Sequence, residues 1–175
     1  MHLSFCNPPP EVKAPLITDV FPYNLEEPDE SYKLPDYLKE ISGLSYISKN
    51  KVACVQDEKA LIYVVNLEPV KVEKKHDFGK DADYEDNAVV DKTAYVLRSD
   101  GDIFRIKDFR KKDRKVRKFE TPLKEKNNTE GLAYDPLSTS LLIACKGSPS
   151  IDKDKPFKGF KAVYRFDLKE EELVE

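Results

Sequence analysis

The sequence predicts an all-β chain, a partial and open β-propeller of about three four-stranded antiparallel blades. Three observations carry that reading. A short motif recurs at near-equal spacing, each copy leads into several short strands divided by turn residues, and almost nothing reads as helix. The motif copies are Glu40-Ile41-Ser42-Gly43-Leu44-Ser45-Tyr46, Asp83-Tyr84-Glu85-Asp86-Asn87-Ala88-Val89 and Asn128-Thr129-Glu130-Gly131-Leu132-Ala133-Tyr134. Ser42, Glu85 and Glu130 share one register, 43 and 45 residues apart.

Residues 1–16 read as an extended tether, because four prolines fall between residues 7 and 15. Residues 17–175 read as the propeller domain. Between Ile17 and Leu34 the apolar residues Val20, Phe21, Tyr23 and Leu25 are broken by Pro22 and Pro28, the pattern of an edge strand. Pro35 to Glu40 reads as a short helical turn.

Each motif is an inner strand. It is followed by a polar turn (Ser48 to Lys51, Asp91-Lys92, Asp135 to Thr139) and an apolar second strand: Val52 to Val55, Thr93 to Leu97 and Leu141 to Cys145. Third strands follow at Ala60 to Leu67, Asp102 to Ile106 and Ala162 to Leu168. The turn Arg98-Ser99-Asp100-Gly101 carries the Asp-Gly signal of a tight hairpin. Outer strands are read at Val70 to His76 and Lys115 to Phe119, with weak alternation because an outer strand packs on one face. The third blade reads as ending after its third strand, before the charged run Lys169 to Glu175.

Propellers close with about four to eight blades. Three blades leave two open faces, and self-association through those faces is one way to shield them.

The segments Leu34 to Ser45, Asp83-Tyr84-Glu85 and Asn128 to Pro136 resemble the SdiA-regulated (YjiK-like) family, related to the esterase-like phytase propellers. The similarity runs from about Leu34 to Cys145 and corresponds to the N-terminal half of a family domain. The resemblance implies a six-bladed, envelope-associated or periplasmic propeller that holds calcium near its axis. One departure stands out: Asp86-Asn87 replaces the Gly-Leu pair of Gly43-Leu44 and Gly131-Leu132, which puts an amide where a core aliphatic is expected.

Equivalent positions at the heads of inner strands converge on a propeller's axis. Glu85 and Glu130 are therefore the candidate metal ligands, with calcium, which takes about six to eight oxygen ligands, as the candidate ion. The structural alternative has each glutamate accepting backbone N–H bonds. Ser42, Asp57, Asp100 and Lys146 are further axis-facing candidates, three of them from the turns after second strands. Two functions fit this pattern. The first is an envelope module that binds a partner or calcium without chemistry; the second is a metal-dependent ester or phosphate hydrolase, with Glu85 or Glu130 as base and Lys146 as cation.

The formal net charge of −3 gives no global attraction to nucleic acid, and no nucleic-acid partner is expected. Arg105 to Lys118 is the one strong basic cluster, and without interleaved exposed aromatics for stacking it reads as an exposed hairpin that discourages edge pairing. No apolar run reaches the roughly 18 residues of a membrane span. Leu3-Ser4-Phe5-Cys6 before a proline-rich stretch would make Cys6 a lipid-tethered cysteine if translation starts further upstream. Cys54 and Cys145 lie in apolar runs and read as buried hydrophobes. His2 and His76 fall away from the axis, and no nucleophile-elbow serine or phosphate loop is present.

Overall fold

The computed structural model describes residue 24, residues 26–152, residue 157 and residues 159–174. The tether, Cys6, His2 and most of the proposed edge strand lie outside the described residues. By its contacts the chain divides into Met1–Ser31 and Tyr32–Glu175, and the second unit carries every strand described below.

Twelve strands form three four-stranded antiparallel sheets, each running inner to outer edge in sequence order. Blade 1 is β1 (Ile41–Ser48), β2 (Lys51–Gln56), β3 (Lys59–Leu67) and β4 (Val70–Asp77). Blade 2 is β5 (Tyr84–Val90), β6 (Thr93–Arg98), β7 (Ile103–Lys107) and β8 (Lys115–Phe119). Blade 3 is β9 (Thr129–Asp135), β10 (Ser140–Cys145), β11 (Ala162–Asp167) and β12 (Glu172–Val174). The predicted all-β, open propeller of three blades is the observed fold. Its only helical pieces among the described residues are two 3-10 turns, Asp36–Leu38 and Glu125–Asn127. The first is the turn expected between Pro35 and Glu40. No helix among the described residues is long and apolar enough to cross a membrane.

One expectation is corrected. Blade 3 does not stop at its third strand, because Glu172–Val174 pairs with Arg165–Asp167 as a short fourth. The turn before it places Glu171 at φ 61 and closes on an Asp167 carboxylate that accepts the N–H groups of Lys169 and Glu170. A charged run can thus make a hairpin whose strand is only three residues long.

Turn chemistry explains the other hairpins. Asn50 and Asp91 lie in the first turns of blades 1 and 2 at φ 60 and 54, a left-handed conformation that Asn and Asp tolerate. Gly101 turns the β6–β7 hairpin at φ 92, and a side chain there would also meet Leu123 Cβ at 2.4 Å.

Packing follows strand position. The second strands β2 and β6 are buried on both faces, which is why they read as continuous apolar runs, whereas β4 and β8 are mostly exposed. One core fills the seam between blades 1 and 2, with Val55, Ile62, Val64, Tyr84, Val96 and Phe104. Another fills the seam between blades 2 and 3, with Leu97, Ile103, Leu132, Leu141, Ile143 and Phe166. Each fully buried aliphatic contributes about 1.5–3 kcal/mol by leaving water. A smaller cluster, Leu38 on Cys54, Tyr63 and Val65, lines the outer face of blade 1.

The shared register of Ser42, Glu85 and Glu130 has a structural basis. In each blade one residue near the head of the inner strand is left out of the pairing with the second strand as a β-bulge, and blade 1 skips a second residue, Ile47, near the other end. The pairing passes from Ile41 to Gly43, from Tyr84 to Asp86 and from Thr129 to Gly131. The skipped residues are Ser42, Glu85 and Glu130. A bulge bends its strand and re-aims the extra side chain, so all three blades turn the same position out of the ladder.

Backbone bonds repeat at the same level. Asp57, Ser99 and Lys146 donate N–H to the carbonyls of Glu40, Asp83 and Asn128 at 3.2, 3.0 and 2.9 Å within their blades. Tyr84 and Thr129 then donate to the Asp57 and Ser99 carbonyls of the preceding blade at 2.7 and 2.9 Å. Each blade is stapled to the next at the head of its inner strand.

Candidate functional site

The two bulge glutamates come together. Glu85 sits half-buried at the head of β5, and its carboxyl is pushed up to about 7. Burial is the largest cause, followed by the negative charges of Asp83 and Glu130 and a hydrogen bond with the Asp83 side chain, while Lys146 pulls the other way. Glu130, at the head of β9, is held open by two donors on its Oε1: Lys146 Nζ at 2.7 Å and Asn128 Nδ2 at 3.0 Å. That carboxylate raises the Lys146 ammonium pKa through its hydrogen bond and its charge. The Lys146 ammonium is bonded to Glu130 and offsets only part of the negative charge of Asp83 and Glu130 felt at Glu85.

Ser42, the third register position, does a different job. Its hydroxyl donates to the Tyr84 carbonyl at 2.7 Å and ties blade 1 to blade 2. The Asp57 carboxylate accepts the N–H of its neighbour Glu58 at 2.9 Å, as an ordinary turn residue does. Asp100 is engaged by the Arg98 guanidinium through Nε at 2.9 Å and Nη2 at 2.6 Å. Burial alone would raise the Asp100 carboxyl, but Arg98 and the Asp102 N–H hold it below the ordinary value. The backbone groups of Asp57, Ser99 and Lys146 share a level; of the turn side chains, Lys146 is the one bonded to a bulge glutamate.

Two members of the cluster were not singled out from sequence. Asp83 and Asn128 both lie two residues before a register glutamate, so the repeat alignment contains the signal that finds them. Among the described residues, no three His, Cys, Asp or Glu side chains are grouped as a metal site requires.

Further along the inner strands a cavity of about 310 Å³ is lined by Leu44, Tyr46, Asn87, Val89, Leu132 and Tyr134. Strands from all three blades face it, as an axial channel requires. Asn87 is 2% exposed, and neither its Nδ2 nor its Oδ1 has a hydrogen-bond partner. The neighbouring departure is useful: Asp86 Oδ2 accepts the Leu132 N–H of blade 3 at 2.6 Å, and Oδ1 accepts the Asn87 N–H at 2.7 Å.

Cys54 and Cys145 are buried, and burial pushes the Cys54 thiol up to about 11. Both are core hydrophobes. The basic hairpin is more than an edge guard, since Arg105 and Arg117 each pair with Glu171 of blade 3 at 2.5 Å.

No known family's sequence pattern matches the chain, and no curated protein matches it in sequence. Solved structures do match in shape. Hydrazine synthase from Kuenenia stuttgartiensis is similar at a TM-score of 0.57 and 14% identity, over 84% of this chain and 38% of that one. A streptogramin B lyase is similar at 0.46 and 13% identity, over 74% of this chain and 41% of that one. The chain therefore spans less than half the length of these structures. The hydrazine synthase likeness shows the fold alone, a β-propeller arrangement.

Proposed function

We infer that this chain is a non-catalytic β-propeller binding module whose acidic mouth, Asp83, Glu85 and Glu130, receives a cationic group. One observation carries the reading: the bulges of adjacent blades bring Glu85 and Glu130 within electrostatic reach, with Lys146 as the counter-charge and the Glu85 carboxyl pushed up to about 7. A bound cation favours the ionised carboxyl, so binding near neutral pH releases the fraction of a proton that Glu85 holds. The cation is a lysine or arginine side chain of a partner, or calcium. Calcium would draw oxygens from Glu85 and Glu130 and has to displace the Lys146 ammonium. The resemblance to SdiA-regulated proteins supports this reading, and an envelope location belongs to the same proposal.

Calorimetry at pH 7 with calcium chloride and, separately, a hexalysine peptide tests it. Heat that varies with the ionisation enthalpy of the buffer, and that is lost in Glu85→Gln/Glu130→Gln, is the expected result. No heat with either probe at millimolar concentration refutes it.

A second reading, hydrolysis of an ester or phosphate, draws on one feature: a carboxyl titrating near 7 beside a lysine suits a general base. Turnover of p-nitrophenyl phosphate or acetate, with and without calcium, that disappears in Glu85→Gln would favour it over pure binding.

A further inference from the structure

We propose that the base of blade 2 docks an acidic peptide segment of a partner protein, its carboxylates seated between Lys92, Lys107 and Lys115 beside blade 3. The site lies in an internal seam, at the far end of the inner strands from the acidic mouth, and is independent of the binding reading above. It rests on a row of like charges that the structure leaves unanswered, next to a row that it answers.

On the face of blade 2 toward blade 3, side chains of β6, β7 and β8 stand in cross-strand rows. The first row, Leu97, Ile103 and Phe119, is apolar and buried. The second is Tyr95, Arg105 and Arg117, and blade 3 answers it with a carboxylate, one oxygen of Glu171 accepting from each arginine at 2.5 Å. The third is Thr93, Lys107 and Lys115. Lysines set directly opposite each other repel. Among the described residues, neither ammonium has a carboxylate oxygen within 4.0 Å. The other acidic residues of the blade 3 turn are engaged elsewhere: Glu170 pairs with Lys169 at 3.4 Å, and Glu172, next to the inward Leu173, belongs to the opposite face.

The corresponding rows of the other blades are settled internally. Each starts at the first residue of a second strand. In blade 1 it is Lys51, Asn66 and Lys71. There the Lys51 ammonium donates to both Glu73 carboxylate oxygens at 2.8 and 2.7 Å, and the Asn66 amide donates to the Glu68 carbonyl at 3.1 Å. In blade 3 it is Ser140, Asp167 and Glu172, with the Asp167 carboxylate closing its own turn. Blade 2 alone sets two cations opposite each other in this row.

A cavity of about 560 Å³ opens at the unanswered row, lined by Lys92, Thr93, Tyr95 and Lys107. The β5–β6 turn brings Lys92 to it, and the Phe109 N–H donates to the Lys92 carbonyl at 3.3 Å, tying that turn to the end of β7. Two carboxylates share the cavity. Asp108 is engaged by Lys111 Nζ at 3.0 Å, and that bond, with the charges of Lys111, Lys107 and Lys92, holds its carboxyl below the ordinary value. Asp91 is exposed. An adjoining pocket of about 130 Å³ adds Arg110 beside Lys92, Asp108 and Lys111. Cations outnumber carboxylates around the two pockets, four to two, in a chain whose formal net charge is −3. The seam itself indicates the occupant. Glu171 on Arg105 and Arg117 is a carboxylate on an opposed pair of cations, and an acidic peptide continues that contact one row further, with the Thr93 and Tyr95 hydroxyls as neutral donors.

Calorimetry of the full chain with a hexaglutamate peptide at pH 7 and low salt tests this. Saturable binding of one peptide per chain is expected, weakened at least about tenfold in Lys107→Gln/Lys115→Gln and unchanged in Lys71→Gln, the equivalent lysine of blade 1. Thermal melting gives a second readout. Without peptide the double variant melts no lower than the native chain, because a like-charge contact is gone, and with peptide it loses the rise in Tm that the native chain shows. No binding at millimolar peptide, binding indifferent to the double variant, equal weakening in Lys71→Gln, or binding of pyrophosphate in place of the peptide would overturn the proposal.

Discussion

The two seams of this structure share one backbone plan and differ in chemistry. Between blades 1 and 2 the contact is mainly neutral: Gly43 lets the backbones touch, Ser42 and Ser45 donate hydroxyls to the Tyr84 and Asn87 carbonyls at 2.7 and 2.5 Å, Phe78, Tyr84 and Phe104 stack edge to face and at tilted angles, and the Arg114 guanidinium meets a backbone carbonyl, that of Asp77, rather than a carboxylate. Between blades 2 and 3 carboxylates do the work. Asp86 binds the Leu132 N–H, and Glu171 bridges Arg105 and Arg117. The staple at the strand head is the same in both. A repeated fold therefore demands the backbone bond and the bulge, and leaves the filling of each seam free to vary.

The largest effect should come from the neutral seam. Gly43→Ala drives a Cβ to 2.6 Å from backbone atoms of blade 2, and a urea titration should show a loss of about 2 kcal/mol or more. Gly131→Ala, which meets only Ala144 at 3.2 Å, should cost less than about 1 kcal/mol. Equal losses would break the distinction between a filled and an open seam.

In the charged seam, Asp86→Ala removes the acceptor of two backbone N–H groups and should cost about 1–3 kcal/mol. Glu171→Gln should cost about 1 kcal/mol, because its ion pairs are partly exposed, and the loss should shrink in 0.5 M salt. A salt-independent loss would mean that packing, not charge, sets its value. Asn87→Leu should raise stability by about 1 kcal/mol, since the variant restores the aliphatic found at Leu44 and Leu132 and removes two unpartnered polar atoms. No gain would indicate that the amide is satisfied by water in the axial cavity.

Much of the blade plan was legible because its causes are local. Turn residues such as Asn50, Asp91 and Gly101 mark hairpins directly, and doubly buried second strands leave unbroken apolar runs. The bulges were legible only as a register. Ser42, Glu85 and Glu130 aligned, but nothing in a single strand says which residue will drop out of the ladder. Asp86 read as a defect because its acceptor role depends on Leu132, 46 residues away. Glu171 was hidden for the same reason, since a charged run near the end of a sequence gives no sign of two arginines opposite. Lys146 was singled out from its turn position, while its bond to Glu130 is visible only in three dimensions.

The central claim is that adjacent bulges make Glu85 and Glu130 one electrostatic unit. Glu85 titrates near 7 when folded against an ordinary 4.5, so the native state keeps a proton that the unfolded chain has released. Its contribution to stability is therefore complete below about 4.5 and is lost as pH rises toward about 7, a slope that Glu85→Gln should remove. Carbon-detected NMR titration of the Glu85 side-chain carboxyl measures the unit directly. The account predicts a midpoint near 7 that falls in Glu130→Gln; a midpoint near 4.5 that Glu130→Gln leaves in place would contradict it.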